Sequence, residues 1–362
     1  MRNQEENSAT LVFPAVGQAA AEYIGAATLR AERIVCASSV PCDNVGGQFG
    51  DIRHLPSIYH DDFEHAFLAL AKEQSIARLF CPVSTVYAFM RQFLSVQHLD
   101  IQLIGFSPVR QQIELHRQLM SRTIKLLALV ELCAAGASSL SLLEVAGVIK
   151  QASLIYGESN DDKLAAMMGV LATASSGDVV EIGSLMGRSA FVLLYLARRY
   201  SVGSLLTIDP WSPVECIQRE SPSALQTVAD EWDYEVLSEG FAVNLAPFGS
   251  GDHAHIRAPS STAFELYARR DVIRSSRGDP VDYLGSISVI HIDGNHDYDS
   301  VKKDCALWLG KMLPCSWLIL DDYIWTHGNG PYRTGNELLQ EHADRIECAF
   351  VCGKALFVKF SF

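Results

Sequence analysis

The stretch VVEIGSLMGRS at residues 179–189 decides how the C-terminal half of the chain folds. A predicted strand, Asp178–Ile182, runs into a turn that contains Gly183 and Gly187, and a helical pattern follows. A strand that leads through a glycine turn into a helix is the general layout of a nucleotide-binding site. Leu185 stands where a dinucleotide site has its second glycine, and its side chain would obstruct a pyrophosphate. The turn therefore favours a ligand without phosphate groups.

The segments that follow continue an alternation of strands and helices. The further predicted strands are Ser204–Ile208, His255–Ala258, Ser288–Ile292 and Trp317–Leu320. At the C-terminus, Ile346–Cys352 and Ala355–Phe360 are separated by Gly353-Lys354, a two-residue link that suits a hairpin. We therefore expect a mostly parallel, Rossmann-like α/β sheet with an antiparallel pair at its end.

The first hundred residues predict a second, smaller α/β domain with a parallel sheet. Its predicted strands are Thr10–Val16, Arg33–Ser38, Arg78–Pro82 and Ile101–Phe106, and its predicted helices are Gln18–Ala31 and Asp61–Gln74. Residues 108–156 are helical in pattern, with Ser138 and Ser139 as caps of the second of two helices. We expect an N-terminal domain at 1–108, a helical connector at 109–155 and a C-terminal domain at 156–362. The connector is a candidate dimerisation element, although plain packing between domains explains it equally well.

Composition excludes several classes of protein. The chain has 362 residues, 49% of them hydrophobic, and a formal net charge of -13. That hydrophobic content excludes disorder as the dominant state, and the acidic balance argues against nucleic-acid backbones and anionic membranes. The nine cysteines form no CxxC motif, and the N-terminus lacks the apolar core of a secretory signal. We therefore expect reduced thiols and a cytoplasmic protein.

The glycine turn and the next strand supply candidate cofactor contacts. Asp209 ends that strand, where its carboxylate is well placed to accept hydrogen bonds from two ribose hydroxyls. Glu181, which enters the turn, suits a ligand with a cationic end. The candidate contacts are Glu181, Gly183, Ser184, Gly187, Ser189 and Asp209. Together they resemble class I S-adenosylmethionine-dependent methyltransferases, in which the turn passes the methionine part and the acid holds the ribose. Any α/β fold, however, carries turns and acids of this kind.

Acidic residues end two later strands that we expect to be neighbours in the sheet. Asp293 follows the first of them, and Asp321 and Asp322 follow the second. Carboxyl ends of parallel strands meet at one crevice, where three carboxylates repel one another unless a cation lies among them. Oxygen ligands suit Mg²⁺, or else Mn²⁺ or Ca²⁺. An Asp-Asp pair after a strand also caps helices, so the pair alone favours neither explanation.

The placement of these acids resembles the divalent-metal-dependent O-methyltransferases. The similarity is greater to the macrocin and mycinamicin type of sugar O-methyltransferase and to cephalosporin hydroxylase-like proteins, which carry an I-D-G-x-H-x-Y segment. Here that segment is IDGNHDY at residues 292–298. In the sugar enzymes the histidine is the proposed general base, so the resemblance implies this role for His296. It covers roughly residues 156–362.

The chemistry of these residues is consistent with methylation of a hydroxyl. A metal stabilises a developing alkoxide, and an imidazole can take the proton near neutral pH. Chelation by two adjacent oxygens would favour a vicinal diol or a catechol. Two long segments, Pro210–Gly251 and Arg269–Asp282, are candidates to shape the substrate pocket. We expect His291 to be a core residue rather than a ligand. His327, in a glycine-rich loop, is a candidate second base or substrate contact, although a plain surface loop explains it better.

The N-terminal domain resembles the domain that precedes ATP-grasp ligases. The similarity lies in DIRHLP at residues 51–56, DDF at 61–63 and the strand that ends at Pro82. No ATP-grasp catalytic domain fits before Gly157, so ligase activity is not implied. The domain would serve substrate binding, assembly or simply as a scaffold.

These inferences together predict an S-adenosylmethionine- and Mg²⁺-dependent O-methyltransferase that acts on a small hydroxylated molecule, such as a sugar, a catechol or another natural product. A non-catalytic module that binds a nucleoside-like ligand, and a hydroxylase accessory protein, are the alternatives. We expect no nucleic-acid or membrane partner. Assembly into a homo-oligomer stays open.

Overall fold

The computed structural model describes residues 8–40, 50–105 and 107–361. It divides into two compact units, residues up to 118 and residues 119–362, each with its own sheet. Cys42 and Phe106, which belongs to a predicted strand, lie outside the described residues.

The first unit is a small parallel α/β sheet, as the sequence predicts. Its elements are β1 (Ala9–Val12), α1 (Gln18–Leu29), β2 (Ile34–Ser38), β3 (Ile52–His54), α2 (Phe63–Glu73), β4 (Ile76–Phe80), α3 (Ser84–Val96) and β5 (Gln102–Ile104). The strand order is β3-β2-β1-β4-β5. The rings of Phe63, Phe67, Phe89 and Phe93 pack together in its core. The sequence analysis missed β3, a three-residue edge strand without a buried residue.

Three helices precede the second sheet. They are α4 (Pro108–Cys133), which runs from the first unit into the second, α5 (Leu142–Ala152) and α6 (Asp161–Leu171). The prediction that Ser138 and Ser139 cap the middle helix is wrong. Ser141 is the cap, because its hydroxyl accepts the Glu144 N–H while the Glu144 carboxylate accepts the Ser141 N–H. This reciprocal pair is a capping box.

The second sheet has seven strands. Its elements are β6 (Asp178–Ile182), α7 (Arg188–Arg199), β7 (Leu205–Ile208), α8 (Ser223–Asp230), α9 (Tyr234–Leu245), β8 (His253–Ile256), α10 (Ser260–Arg269), β9 (Ile287–Ile292), α11 (Tyr298–Trp308), β10 (Met312–Leu320), α12 (Gly330–Glu341), β11 (Ile346–Cys352) and β12 (Ala355–Phe360). The strand order is β11-β12-β10-β9-β6-β7-β8. Only β12 pairs antiparallel, with β10 and β11, which confirms the predicted parallel sheet with a terminal hairpin.

Two strands differ in extent from their predictions. β8 begins at His253, two positions before the predicted start. β10 begins at Met312, five positions early, and its pairing with β9 shifts register between Met312 and Trp317. Pro314 lies within that shift, and proline lacks the N–H that a regular ladder needs. The sequence pattern therefore reported only the regular part of the strand.

No helix among residues 8–40, 50–105 and 107–361 is long and apolar enough to cross a membrane.

The buried side chain of Asp178, in β6, binds the backbone of residues 284–285, which precede β9. Its side chain is 1% exposed and accepts hydrogen bonds from the Tyr267 hydroxyl (2.6 Å) and from the backbone N–H groups of Leu284 (2.9 Å) and Gly285 (2.8 Å). A buried carboxylate of this kind is stable only while its acceptor capacity is used. The bonds hold residues 284–285 just before β9, the strand that Asp293 follows.

We expect Asp178→Ala to lower the free energy of unfolding by about 3–5 kcal/mol, because three buried donors lose a charged acceptor. Tyr267→Phe, which removes one of the three bonds, is the matched control and should cost about 1–2 kcal/mol. Urea denaturation of both variants gives the comparison. Equal losses in the two variants would show that Asp178 does not organise the segment.

Candidate active site

The carboxyl ends of β6 and β9 meet at the switch point of the second sheet. The chain leaves β6 toward β7 on one side, while β9 lies on the other. Open α/β sheets bind ligands at such points. The Asp293 N–H donates to the carbonyl of Ile182 at 2.8 Å, so the two strand ends are joined by backbone. Gly183 has φ +82°, and a Cβ there would lie 1.9 Å from the Asp293 carbonyl oxygen. Only glycine fits this contact.

A cavity of about 630 Å³ opens above these strand ends. The predicted site residues that line it are Gly183, Ser184, Ser189, Asp209, Asp293, His296 and Asp322. Three predicted residues are not among its lining residues. Of these, Gly187 has φ +92° and a position against Phe241 and Leu245 that leaves no room for a Cβ, whereas Glu181 and Asp321 are buried.

Asp209 organises the glycine turn. One carboxylate oxygen accepts the N–H groups of Ser184 and Leu185, each at 2.9 Å, and the other accepts the N–H of Trp211 at 2.9 Å. Burial raises the pKa of Asp209, and the three N–H groups oppose that rise. A carboxylate offers about four acceptor sites, so about one is left for a ligand. This differs from the expectation that Asp209 is free to hold two hydroxyls.

Ser184 carries an unused hydroxyl at the cavity wall. Its residue is 3% exposed, and its Oγ has no hydrogen-bond partner among the described residues. A buried hydroxyl without a partner is costly, which points to a ligand atom at this position.

Glu181 faces the interior of the sheet. Both it and His291 are fully buried, and Glu181 Oε1 lies 3.1 Å from His291 Nδ1. The second oxygen of Glu181 and Nε2 of His291 have no hydrogen-bond partner among the residues described. The expectation that His291 is a core residue agrees with this burial. Glu181 is a partner of that histidine and does not line the cavity.

A lysine that the sequence analysis did not consider lies beneath the cavity floor. Lys163, in the first turn of α6, is 1% exposed. Its ammonium pairs with Asp321 and lies 3.4 Å from Asp293 Oδ2. Burial acts to lower the pKa of Lys163, but Asp293 and Asp321 outweigh it and hold the pKa above its ordinary value. The group is therefore charged. The available signal was a lysine that opens the otherwise apolar run KLAAMMGVL at 163–171.

The carboxylates respond to the same lysine. Burial acts to raise the pKa of Asp321, but Lys163 outweighs it and holds the pKa below its ordinary value. Burial and the charge of Asp321 raise the pKa of Asp293 to about 6. The pKa values of the two acids therefore shift in opposite directions, and Asp321 is the main ion-pair partner of the ammonium.

His296 stands at the cavity wall between acids. Its Nε2 lies 3.3 Å from Asp322 Oδ2 and 3.9 Å from Asp293 Oδ1, and its ring meets Trp325 edge-on with centroids 4.5 Å apart. Burial acts to lower the pKa of His296, but the neighbouring carboxylates outweigh it and raise the pKa. Neither ring nitrogen has a hydrogen-bond partner in the described part of the chain. The other oxygen of Asp322 accepts from Lys354 at 2.8 Å.

The three predicted metal ligands do not come together as one set. Possible ligand atoms form two overlapping groups in the described residues, His291–Asp293–Asp321 and Asp293–His296–Asp322. The first group already holds the Lys163 ammonium. A metal in the second group would be bound by Nε2 of His296, the ring nitrogen that faces Asp293 and Asp322. Asp293, Asp321 and Asp322 therefore do not fit a single magnesium ion as they are placed here.

The long segment after β7 contributes to the cavity, as predicted. Glu215, Gln218 and Trp232 are among its lining residues. Trp211, the other tryptophan of the segment, is 3% exposed and packs on Phe241, so it belongs to the core. His327 also lines the cavity, close to Trp325.

A protein-family model described as a methyltransferase domain matches residues 180–323. This range contains every predicted site residue. A search among curated proteins finds no match.

Solved structures similar to the chain are distant. The O-methyltransferase NovP is 13% identical with a TM-score of 0.38, and the match covers 61% of this chain and 81% of that one. MycE, a methyltransferase of mycinamycin biosynthesis solved with Mg and S-adenosylhomocysteine (SAH), is 13% identical with a TM-score of 0.38, over 62% and 55% of the two chains. A structure from Klebsiella pneumoniae that is described as an O-methyltransferase is 14% identical with a TM-score of 0.34, and the match covers 60% of this chain and 89% of that one.

We expect Gly183→Ala to destabilise the chain by about 2 kcal/mol more than Gly251→Ala. Both glycines have positive φ (+82° and +89°), so both variants bear the strain of a left-handed residue, about 1–2 kcal/mol. Only at Gly183 does the new Cβ meet the Asp293 backbone, because nothing lies within 4 Å at Gly251. Urea denaturation measures the difference, and equal losses would contradict the close approach of β6 and β9.

Proposed function

From the methyltransferase domain at residues 180–323, we propose that the chain transfers a methyl group from S-adenosylmethionine to a hydroxyl of a small molecule. We assign the activity to a transferase domain at residues 156–362. The observation that carries the proposal is that the glycine turn after β6 and the imidazole after β9 line one cavity.

The cavity residues fit S-adenosylmethionine. A volume of about 630 Å³ lies within the range of small-molecule sites, and the buried Ser184 hydroxyl needs a partner. Gly183 lines the cavity and lets the Asp293 backbone approach β6, while Leu185 opposes a phosphate-containing ligand. In this proposal Ser184 and Ser189 contact the cofactor, Gly187 shapes the turn, and Asp209 holds the turn while it offers its remaining acceptor site to the ribose.

His296 is the proposed general base. A hydroxyl is a weak nucleophile until its proton leaves, and imidazole is the side chain best suited to take that proton near neutral pH. The cofactor, when bound, supplies an electrophilic methyl group on sulfur. As the substrate oxygen bonds to that carbon, the carbon–sulfur bond would break and leave a neutral thioether. His296 Nε2 accepts the hydroxyl proton, and Asp322 at 3.3 Å stabilises the resulting imidazolium. Bound orientation provides the in-line approach.

A sugar or catechol hydroxyl is the substrate class that the cavity lining supports. Trp232 and Trp325 present aromatic surface, and Gln218 presents an amide that can hydrogen-bond a hydroxyl. This lining suits a ring that bears hydroxyl groups better than it suits an apolar ligand or a polyanion.

Magnesium has no step in this mechanism. The predicted ligands Asp293 and Asp321 already face an ammonium, and Asp322 pairs with Lys354 and His296. Proton removal and stabilisation of the transferred proton are instead assigned to His296 and Asp322.

We expect calorimetry to detect one SAH site per chain, because the glycine turn and the unpartnered Ser184 hydroxyl line a single cavity. Gly183→Ala, which displaces the Asp293 backbone, should weaken this binding at least tenfold, while Gly251→Ala should leave it unchanged. Absence of heat with both SAH and S-adenosylmethionine would sink the cofactor assignment.

We expect His296→Asn to lower turnover about 100-fold or more while SAH affinity stays within about twofold, since a general base contributes in the transition state. The substrate comes from a panel of vicinal diols and catechols, screened by release of SAH. His327→Asn is the control, because His327 lines the same cavity but forms no ion pair with an acid among the residues that the structure describes. Its loss should be below about tenfold. A chain that binds the cofactor but methylates nothing in the panel, even after wider screening, would favour the non-catalytic binding module.

A further inference from the structure

We propose that the Lys163 ammonium takes the place of a divalent cation at the carboxyl ends of β9 and β10, so that methyl transfer by this chain requires no divalent metal. Methyl transfer without a divalent metal rests on the proposed function. The place of the ammonium among the acids does not depend on whether the chain is a transferase.

The ammonium lies where a bridging cation would lie. Oδ2 of Asp321 and Oδ2 of Asp293 both face Lys163 Nζ, the first in a direct hydrogen bond and the second at 3.4 Å. His291 Nε2 completes the same group, 3.7 Å from Asp293 Oδ2 and 3.9 Å from Asp321 Oδ2. These three residues are one of the two possible ligand groups of the described chain. A single positive charge is thus already present among them.

The backbone holds Lys163 in this place. Asn160 caps α6 by accepting the Lys163 N–H at 2.9 Å. The turn of the β11–β12 hairpin packs on the backbone of the same residue. A Cβ at Gly353 would lie 2.4 Å from the backbone nitrogen of Lys163 and 2.7 Å from the Cβ of Lys163. With its residue 1% exposed, the side chain has no open route to solvent. A metal ion that entered this site would have to displace a buried side chain.

Two lysines offset most of the negative charge of the three aspartates without a metal. The carboxylates at the site are Asp293, Asp321 and Asp322, and the fixed cations are Lys163 and Lys354. Among these five side chains one negative charge is left for the proton that His296 takes from the substrate, and Glu181 lies outside this set, with its Oε1 3.1 Å from His291 Nδ1. A divalent ion beside the buried ammonium would add like-charge repulsion in a place where water does not screen it.

The remaining ligand group conflicts with the role of the base. A metal held by Asp293 Oδ1, Asp322 Oδ2 and His296 would occupy the imidazole nitrogen that must accept the proton. The histidine can be a ligand or a base, but not both through the same atom. A metal-free site keeps that nitrogen available.

The test is Mn²⁺ binding to the chelator-treated full-length chain, measured by loss of the free-ion signal in electron paramagnetic resonance. Wild type should show no stoichiometric site, whereas Lys163→Met should gain one, with affinity at least tenfold higher. Lys163→Met with Asp321→Asn should lose that gain, because one carboxylate is gone. Lys150→Met, an exposed lysine on α5, is the matched control and should behave as wild type. If Lys163→Met does not fold, Lys163→Gln serves in its place.

Stoichiometric Mn²⁺ binding to wild type would overturn the proposal, and so would absence of binding to both wild type and the Lys163 variant. A separate measurement tests whether methyl transfer requires a divalent metal. Once a substrate is in hand, wild-type turnover should be unchanged by excess EDTA, and a tenfold loss that Mg²⁺ restores would overturn it. Failure to find any methyl acceptor would count against the proposed function alone, because the Mn²⁺ measurement needs no substrate.

Discussion

The buried ion pair between Lys163 and Asp321 is the interaction on which the arrangement of the site depends. Neither charge is stable in a protein interior without the other, and removal of one member of such a pair typically costs about 3–5 kcal/mol. Because Lys163 belongs to α6 and Asp321 follows β10, the pair joins a helix to the sheet. It also decides which oxygens remain for the cavity, since Asp293 turns one oxygen toward the ammonium and the other toward His296.

Backbone contacts give the same strand ends their spacing. The N–H of Asp293 bonds to the Ile182 carbonyl, and Gly183 allows the Asp293 carbonyl to approach to a distance that excludes any side chain. The glycine turn is held from its other side by Asp209. The side chains proposed for cofactor contact and for proton transfer therefore follow β6, β7 and β9, and loops supply the rest of the cavity wall.

Sequence reasoning recovers what depends on local pattern. The strand–glycine–helix signal at residues 179–189 and the apolar strands that end in acids predict the sheet and the approach of Asp293 to Asp321 and Asp322, because strand direction alone brings these strand ends together. It did not predict what depends on partners distant in sequence. Lys163 is 158 positions from Asp321, and a lysine before an apolar run is compatible with any helix terminus. Glu181 fits a cationic ligand in the sequence, but its partner in the fold is His291.

The most direct measurement is a crystal structure of the chain with SAH, grown with Mn²⁺ and recorded at a wavelength where manganese scatters anomalously. We expect SAH against Gly183 and Ser184, with Lys163 Nζ between Asp293 and Asp321 and no anomalous peak among the three aspartates. A manganese ion ligated by Asp293, Asp321 and Asp322, with the lysine turned away, would contradict the role given to Lys163. SAH bound elsewhere, or not at all, would contradict the site itself.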